Sequence, residues 1–104
     1  MVMLGDPFVA VVPRQLSPEE LAQAIRVDIA GELEAIIGYE AHAAATNDER
    51  VKKVLYHIAN EEREHVGELQ QLLYLLNSND AKYMEKGRQD IQQQQAQGFQ
   101  TPMQ

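Results

Sequence analysis

The sequence predicts an all-α protein: an antiparallel hairpin of two long helices with a short C-terminal helix, made into a four-helix bundle by a second copy of the chain. Three observations lead there. Apolar residues recur in alternating steps of four and three through two long stretches, the period of a helix face packed against other helices. One cluster of turn and cap residues, Thr46-Asn47-Asp48, is all that interrupts the run between Ser17 and Asn77. Finally, two helices with wide apolar faces cannot enclose a core by themselves, so the missing neighbours must come from another chain.

The elements follow in order. Residues 1–16 carry two prolines and no helical period, and read as an extended arm that packs on a neighbouring surface. Ser17-Pro18-Glu19-Glu20 is a helix start: serine caps, proline suits the first helical position, and Glu20 completes a capping box. The first helix should run to about Ala45. Thr46-Asn47-Asp48-Glu49 offers a second capping box, and the second helix should run to about Leu76. Asn77-Ser78-Asn79-Asp80 ends that helix and caps a third, expected over Ala81 to Gln94. The helical unit is thus placed at 17–91. Residues 92–104, rich in glutamine and ending GFQTPMQ, read as a flexible tail. No internal repeat is present, so the chain holds one helix pair.

Each long helix has an acid where a core residue belongs. The first seam reads Ile25, Ile29, Glu32, Ile36, Tyr39, Ala43, flanked by Ala22, Leu33, Ile37 and Ala44 in a wide stripe expected to be buried. The second reads Val51, Leu55, Ile58, Glu62, His65, Leu69, Leu72, Leu76. An ionised carboxylate in such a seam costs several kcal/mol unless it is paired or binds a metal. The two anomalies are also level. Glu32 lies fifteen residues before Asn47 and Glu62 fifteen after it, so each sits about 22 Å from the turn at 1.5 Å rise per residue.

Glu62-Arg63-Glu64-His65 is a Glu-x-x-His, the spacing of helix-bundle di-iron sites, which take a Glu from each of two helices and a Glu-x-x-His from each of two others. One chain has one of each. Two chains about a two-fold axis would supply four carboxylates and two imidazoles, and four carboxylates neutralise two Fe²⁺ ions in a low-dielectric interior. Manganese carboxylate sites look alike at this level. The bland reading of Glu62 is a buried acid paired with His65 or with an arginine. Tyr39, two turns from Glu32, is either core or a group that reaches the metal shell through its hydroxyl. His42 and His57 lie off the seams and read as surface, as do Glu61, Glu64 and Glu68. Glu34 lies near Glu32 but points away from its seam, which suits a role in metal uptake.

Composition narrows the classes. The chain has 104 residues, one domain at most, and a net charge of -7, which argues against nucleic acid as a partner. It has no cysteine, so disulfides, thiolate zinc and an attached rubredoxin-type iron centre are excluded. No stretch approaches the roughly 20 apolar residues of a membrane span. The N-terminus has no basic residue before Arg14 and carries Asp6, making a poor signal peptide, and a reducing cytoplasm is the expected location.

The stretches GELEAIIGYE, HIANEEREHVGEL and NDAKY together resemble the encapsulated ferritins, half-size ferritin-like proteins associated with encapsulin nanocompartments. The resemblance covers about residues 17–90 and puts Glu32, Tyr39, Glu62 and His65 on that family's ferroxidase motif. It implies a two-helix subunit whose di-iron site forms only between subunits, rings of dimers that are often decamers, oxidation of Fe²⁺ with dioxygen, and storage by the surrounding encapsulin shell protein. Glu34 matches a metal-uptake position of the family. Gly31 departs from the acidic residue usual there, and Gly38 stands where some members have tryptophan. GFQTPMQ does not resemble the family's shell-targeting peptide. Two rivals remain at this level: a rubrerythrin-like di-iron peroxidase, disfavoured without cysteine, and a metal-free helical oligomerisation module whose acids and histidine set register.

Overall fold

The structure, a computed structural model, describes residues 14–98. They form three helices: α1 (Pro18–Ala44), α2 (Glu49–Leu76) and α3 (Ser78–Ala96), with no strand among the described residues. The arm expected over 1–16 falls almost wholly outside them, as do residues 99–104.

Helix α1 begins as its sequence requires. The Ser17 hydroxyl accepts from the Glu20 backbone N–H at 3.1 Å, and the Glu20 carboxylate accepts from the Ser17 N–H at 3.0 Å. Such a cap contributes about 1 kcal/mol. Arg14 adds a forked contact to the same carboxylate, at 2.9 and 2.5 Å. The Arg14 guanidinium, with the Ser17 N–H, holds Glu20 down at about 2. At the other end, Lys52 of α2 reaches back and donates to the Ala43 carbonyl at 2.8 Å, placing a cation on the negative end of α1.

The turn corrects one expectation. Thr46 is not the cap of α2. Asp48 is the N-cap, its carboxylate accepting from the Arg50 N–H at 3.0 Å, while the Thr46 hydroxyl accepts from the Asp48 N–H at 3.1 Å. Aspartate caps better than threonine, and the later start still leaves Thr46 a turn role. Asn77 then serves two helices. Its N–H donates to the Leu73 carbonyl at 2.9 Å, closing α2, and its side chain accepts from Asn79 and Asp80 N–H at 3.0 and 3.3 Å, opening α3.

Helix α3 is longer than expected. It starts at Ser78 and runs through Ala96, so residues 92–96 are helix rather than tail. Glutamine is a good helix former, and one glycine at position 87 is not enough to stop a helix opened by a firm cap. None of its residues is buried. Arg26 of α1 ties it to the hairpin by a forked contact to Asp80 at 2.8 and 2.9 Å.

Helices α1 and α2 pack antiparallel. Their fully buried residues are Ala22 and Ala43 on α1 and Ala59 and Leu73 on α2. Alanines let the two backbones approach closely. This corrects the seam on α2: Ala59, Leu73, Leu55 and Val66 make the stripe toward α1, centred roughly 65° around from the expected one. Val51 and Leu72 of the expected seam are exposed, and so are Leu33, Ile37 and Ala44 of the stripe expected to be buried on α1, Ile37 at 68%. The physical reason is geometric. In a four-helix bundle a seam points to the bundle centre, between two neighbours, and this chain contains only one of them.

Candidate metal centre

Helix α1 brings Glu32, and α2 brings Glu62 and His65, to one place. Each offers a ligand atom, and these atoms lie within 4.8 Å of one another. The two acids that counting made level are therefore level. His65 Nδ1 is 3.5 Å from a Glu62 oxygen and 3.6 Å from a Glu32 oxygen. Those separations exceed the usual N–H···O range of about 2.7–3.2 Å. They suit His65 and a carboxylate sharing an ion instead: two ligands each about 2.1 Å from a metal stand roughly 3.0–3.5 Å apart at angles of 90–110°. The Glu62 side chain is 17% exposed and Glu32 26%, whereas His65 is 50% exposed and sits at the rim.

Glu32, Glu62 and Tyr39 line an open cleft of about 420 Å³. Gly31 and Ala35 form a bare stretch of its wall, and Asp28 lies along the same wall. No lysine or arginine lines it. Tyr39 thus shares the cleft with both acids, as its seam position suggested. Glu34 does not line the cleft. It leaves α1 roughly 160° around from Glu32, and its Oε2 is shielded from solvent with no hydrogen-bond partner. His57 pairs loosely with Glu61 at 3.5 Å on the exposed face, as expected of a surface residue.

Asp28, on the cleft wall, was not singled out by the sequence reasoning. Its signal was present: it stands four residues before Glu32, one turn away on nearly the same face, but off the seam. The direction of the uncovered surface was also missed. Val54 and Leu72 are exposed and lie about 20° around α2 from His65, so apolar surface flanks the imidazole on both sides along the helix.

Residues 19–83 match the family model described as ubiquinone biosynthesis protein COQ7. The chain is 41% identical over 78 residues to the encapsulin nanocompartment cargo protein EncC of Myxococcus xanthus (strain DK1622), across 75% of this chain and 60% of that protein. It is 37% identical over 75 residues to the ferritin-like-encapsulin shell fusion protein of Pyrococcus furiosus, across 72% of this chain and 22% of that protein. The chain therefore spans 60% or less of the length of these curated relatives. The crystal structure of the encapsulated ferritin domain from Pyrococcus furiosus superposes with a TM-score of 0.77 at 33% identity, across 85% of this chain and 90% of that one.

A helical hairpin with two level acids and an imidazole defines a ferritin-like fold. The chain belongs to the ferritin-like family that the matched model represents, and within it to the encapsulated ferritins.

Proposed function

We propose that this protein is a ferroxidase, oxidising Fe²⁺ to Fe³⁺ with dioxygen at a di-iron carboxylate site shared by two chains, as cargo of an encapsulin compartment in the cytoplasm. One observation carries the reading: Glu32, Glu62 and His65 converge within 4.8 Å on a side of the hairpin that nothing among the described residues covers. Three donors complete the coordination of no first-row metal. A second copy brought against the same side doubles the set to four carboxylates and two imidazoles.

The donor chemistry fits iron. Carboxylate oxygen and imidazole nitrogen suit Fe²⁺ and Fe³⁺ alike, and the four acids balance two ferrous ions. Iron bound there supplies the electrons for dioxygen. The protein's part is to hold and orient. Glu62, the most shielded of the three, would hold iron together with Glu32 and His65, and the Tyr39 hydroxyl would support them from the cleft wall. The shielded and unpartnered Glu34 Oε2 supports a metal-uptake role for that acid on the far side of α1.

The same side explains assembly. Covering a leucine or valine contributes about 1.5–3 kcal/mol, so pairing over Val54 and Leu72 stabilises a chain that has only four fully buried residues of its own among those described. Leu33 and Ile37 lie on the opposite side, Ile37 about 180° around α1 from Asp28, and this second uncovered surface supports joining of pairs into a ring such as a decamer. The relatives named as encapsulin cargo and shell fusion support the encapsulin shell protein as partner.

Anaerobic Fe²⁺ loading followed by sedimentation tests the reading. The expected result is one tightly bound iron per chain, two per dimer, with iron shifting the protein toward larger species by mass action. Two tight ions per isolated monomer would overturn the shared site.

A further inference from the structure

We propose that Arg63 and Glu40 are a positioning pair for the metal centre: their contact sets the register of α2 against α1 and so keeps Glu62 and His65 opposite Glu32. The role rests on the ferroxidase reading, whose donor set it holds together. Arg63 donates to a Glu40 oxygen at 2.6 Å, and its other terminal nitrogen donates to Asn60 Oδ1, one turn back on α2, at 3.0 Å. Among the described residues this is the one hydrogen bond from side chain to side chain between α1 and α2. Arg63 directly follows Glu62, and Glu40 directly follows Tyr39. Neither lines the cleft. Around α2, Glu62 and Arg63 flank the stripe that faces α1, one on each side, and Glu32 and Glu40 do the same around α1. The pair thus fastens the far side of the contact whose near side carries the donors.

Packing alone holds this register loosely. Three of the four fully buried residues are alanines, and the fourth, Leu73, lies eight residues beyond His65. Alanines let helices approach closely, but their shallow ridges interlock less than those of larger side chains. The site tolerates little sliding. A shift of α2 by one residue's rise is about 1.5 Å, whereas ligand distances in a metal site must hold to about 0.2 Å. Lys52, on the Ala43 carbonyl, fastens the turn end of the hairpin. Arg63 fastens it beside the donors. It lies sixteen residues after Asn47 and Glu40 seven before, so the link is oblique and runs partly along the helix axes, the direction in which it resists sliding. An exposed ion pair contributes little to stability, so its effect is read in the geometry of the site.

The test uses the full chain as wild type, Arg63→Met, Glu40→Ala and the exchanged double variant Arg63→Glu with Glu40→Arg. Circular dichroism and sedimentation verify helix content and pairing. The readouts are Co²⁺ affinity without oxygen, by titration, and the visible absorption of bound Co²⁺, which reports ligand geometry. Arg63→Met and Glu40→Ala should each weaken Co²⁺ binding about tenfold and alter its absorption. The exchanged variant, which restores the link with its charges reversed, should return to within about threefold of wild type with the wild-type absorption. Charge alone predicts otherwise: losing a cation near three donors should tighten Co²⁺ binding in Arg63→Met, and losing an anion should weaken it in Glu40→Ala. Unchanged or tighter binding in Arg63→Met overturns the proposal. So does an exchanged variant that pairs normally yet binds no better than the single variants. Should Arg63→Met lose helix content, Glu40→Ala against the exchanged variant decides in the same way. If wild type itself binds neither Co²⁺ nor Fe²⁺, the ferroxidase reading fails, an outcome readily told apart from an indifferent Arg63.

Discussion

The two sides of the hairpin treat their acids in opposite ways. Away from the cleft some acids are answered from within the chain: Glu40 by Arg63 at 2.6 Å, and Asp80 by Arg26 at 2.8 Å. Asp28, Glu32 and Glu62 instead share one cleft that no lysine or arginine among the described residues lines, with the half-exposed His65 imidazole beside Glu32 and Glu62. Like charges left together destabilise a fold unless something from outside joins them. On the proposed function, the contrast separates a side finished by folding from a side that a cation and a second chain would finish.

The largest effect should come from removing cleft donors. Glu62→Ala or His65→Ala should lower iron oxidation at least about a hundredfold, since each change removes two ligands per dimer. Glu61→Ala, one residue away on the exposed face, should keep most of the activity. Equal losses for Glu61→Ala and Glu62→Ala, measured as initial rates, would break the distinction between the sides.

Next come the two uncovered apolar surfaces. Leu72→Asp, beside His65, should disrupt pairing and lower oxidation with it. Ile37→Asp, on the opposite side, should leave pairs and their oxidation intact while dissolving larger assemblies. Sedimentation and iron oxidation on the same samples would show whether pairing and ring formation use separate surfaces.

A smaller change is expected at the tie between α1 and α3. The Arg26 and Asp80 side chains are 39% and 20% exposed, so screening limits their pair to about 1 kcal/mol or less. Asp80→Asn should lower the melting temperature by a few degrees, since 1 kcal/mol shifts a domain of this size by about 4–8 °C. Oxidation in the pair should persist, because neither residue lines the cleft.

The smallest effect concerns pH. Glu20 is lowered from 4.5 to about 2 by its hydrogen bond from Arg14 and by the Ser17 N–H. A depressed carboxylate contributes stability that is fully present above its unfolded value and is lost as pH falls through the folded one. The start of α1 should thus hold at pH 5 and weaken only between about 4.5 and about 2. A carboxyl NMR titration of Glu20 would give its midpoint, and Arg14→Ala should move that midpoint upward.

Much of this was legible in the residues. Ser17-Pro18-Glu19-Glu20, the turn at 46–48 and Asn77 mark the helix ends because their hydrogen bonds are local. Glu32, Glu62 and His65 stand out because a polar residue in an apolar seam is costly. The direction in which that seam faces was not legible, because a period of four and three records that a face is covered, not by which neighbour. Ala59 was overlooked for the same reason: small residues mark closest approach, yet add little to an apolar pattern. The place of Asp28 on the cleft was hidden because the bare wall at Gly31 and Ala35 becomes visible only in three dimensions.

All three donors of the cleft lie in a single helix pair, and that has a consequence for the chemistry's symmetry. In the proposed centre, assembled twice from the same chain, the two iron positions would be identical by construction. No substitution can tune one without the other. Any inequality between them, in affinity, in order of filling or in readiness to release, must arise from occupancy: the first ion changes the charge met by the second. A larger ferritin-like chain with two different helix pairs can write that inequality into its sequence. In the proposed centre it would be generated afresh in each cycle, by the iron itself.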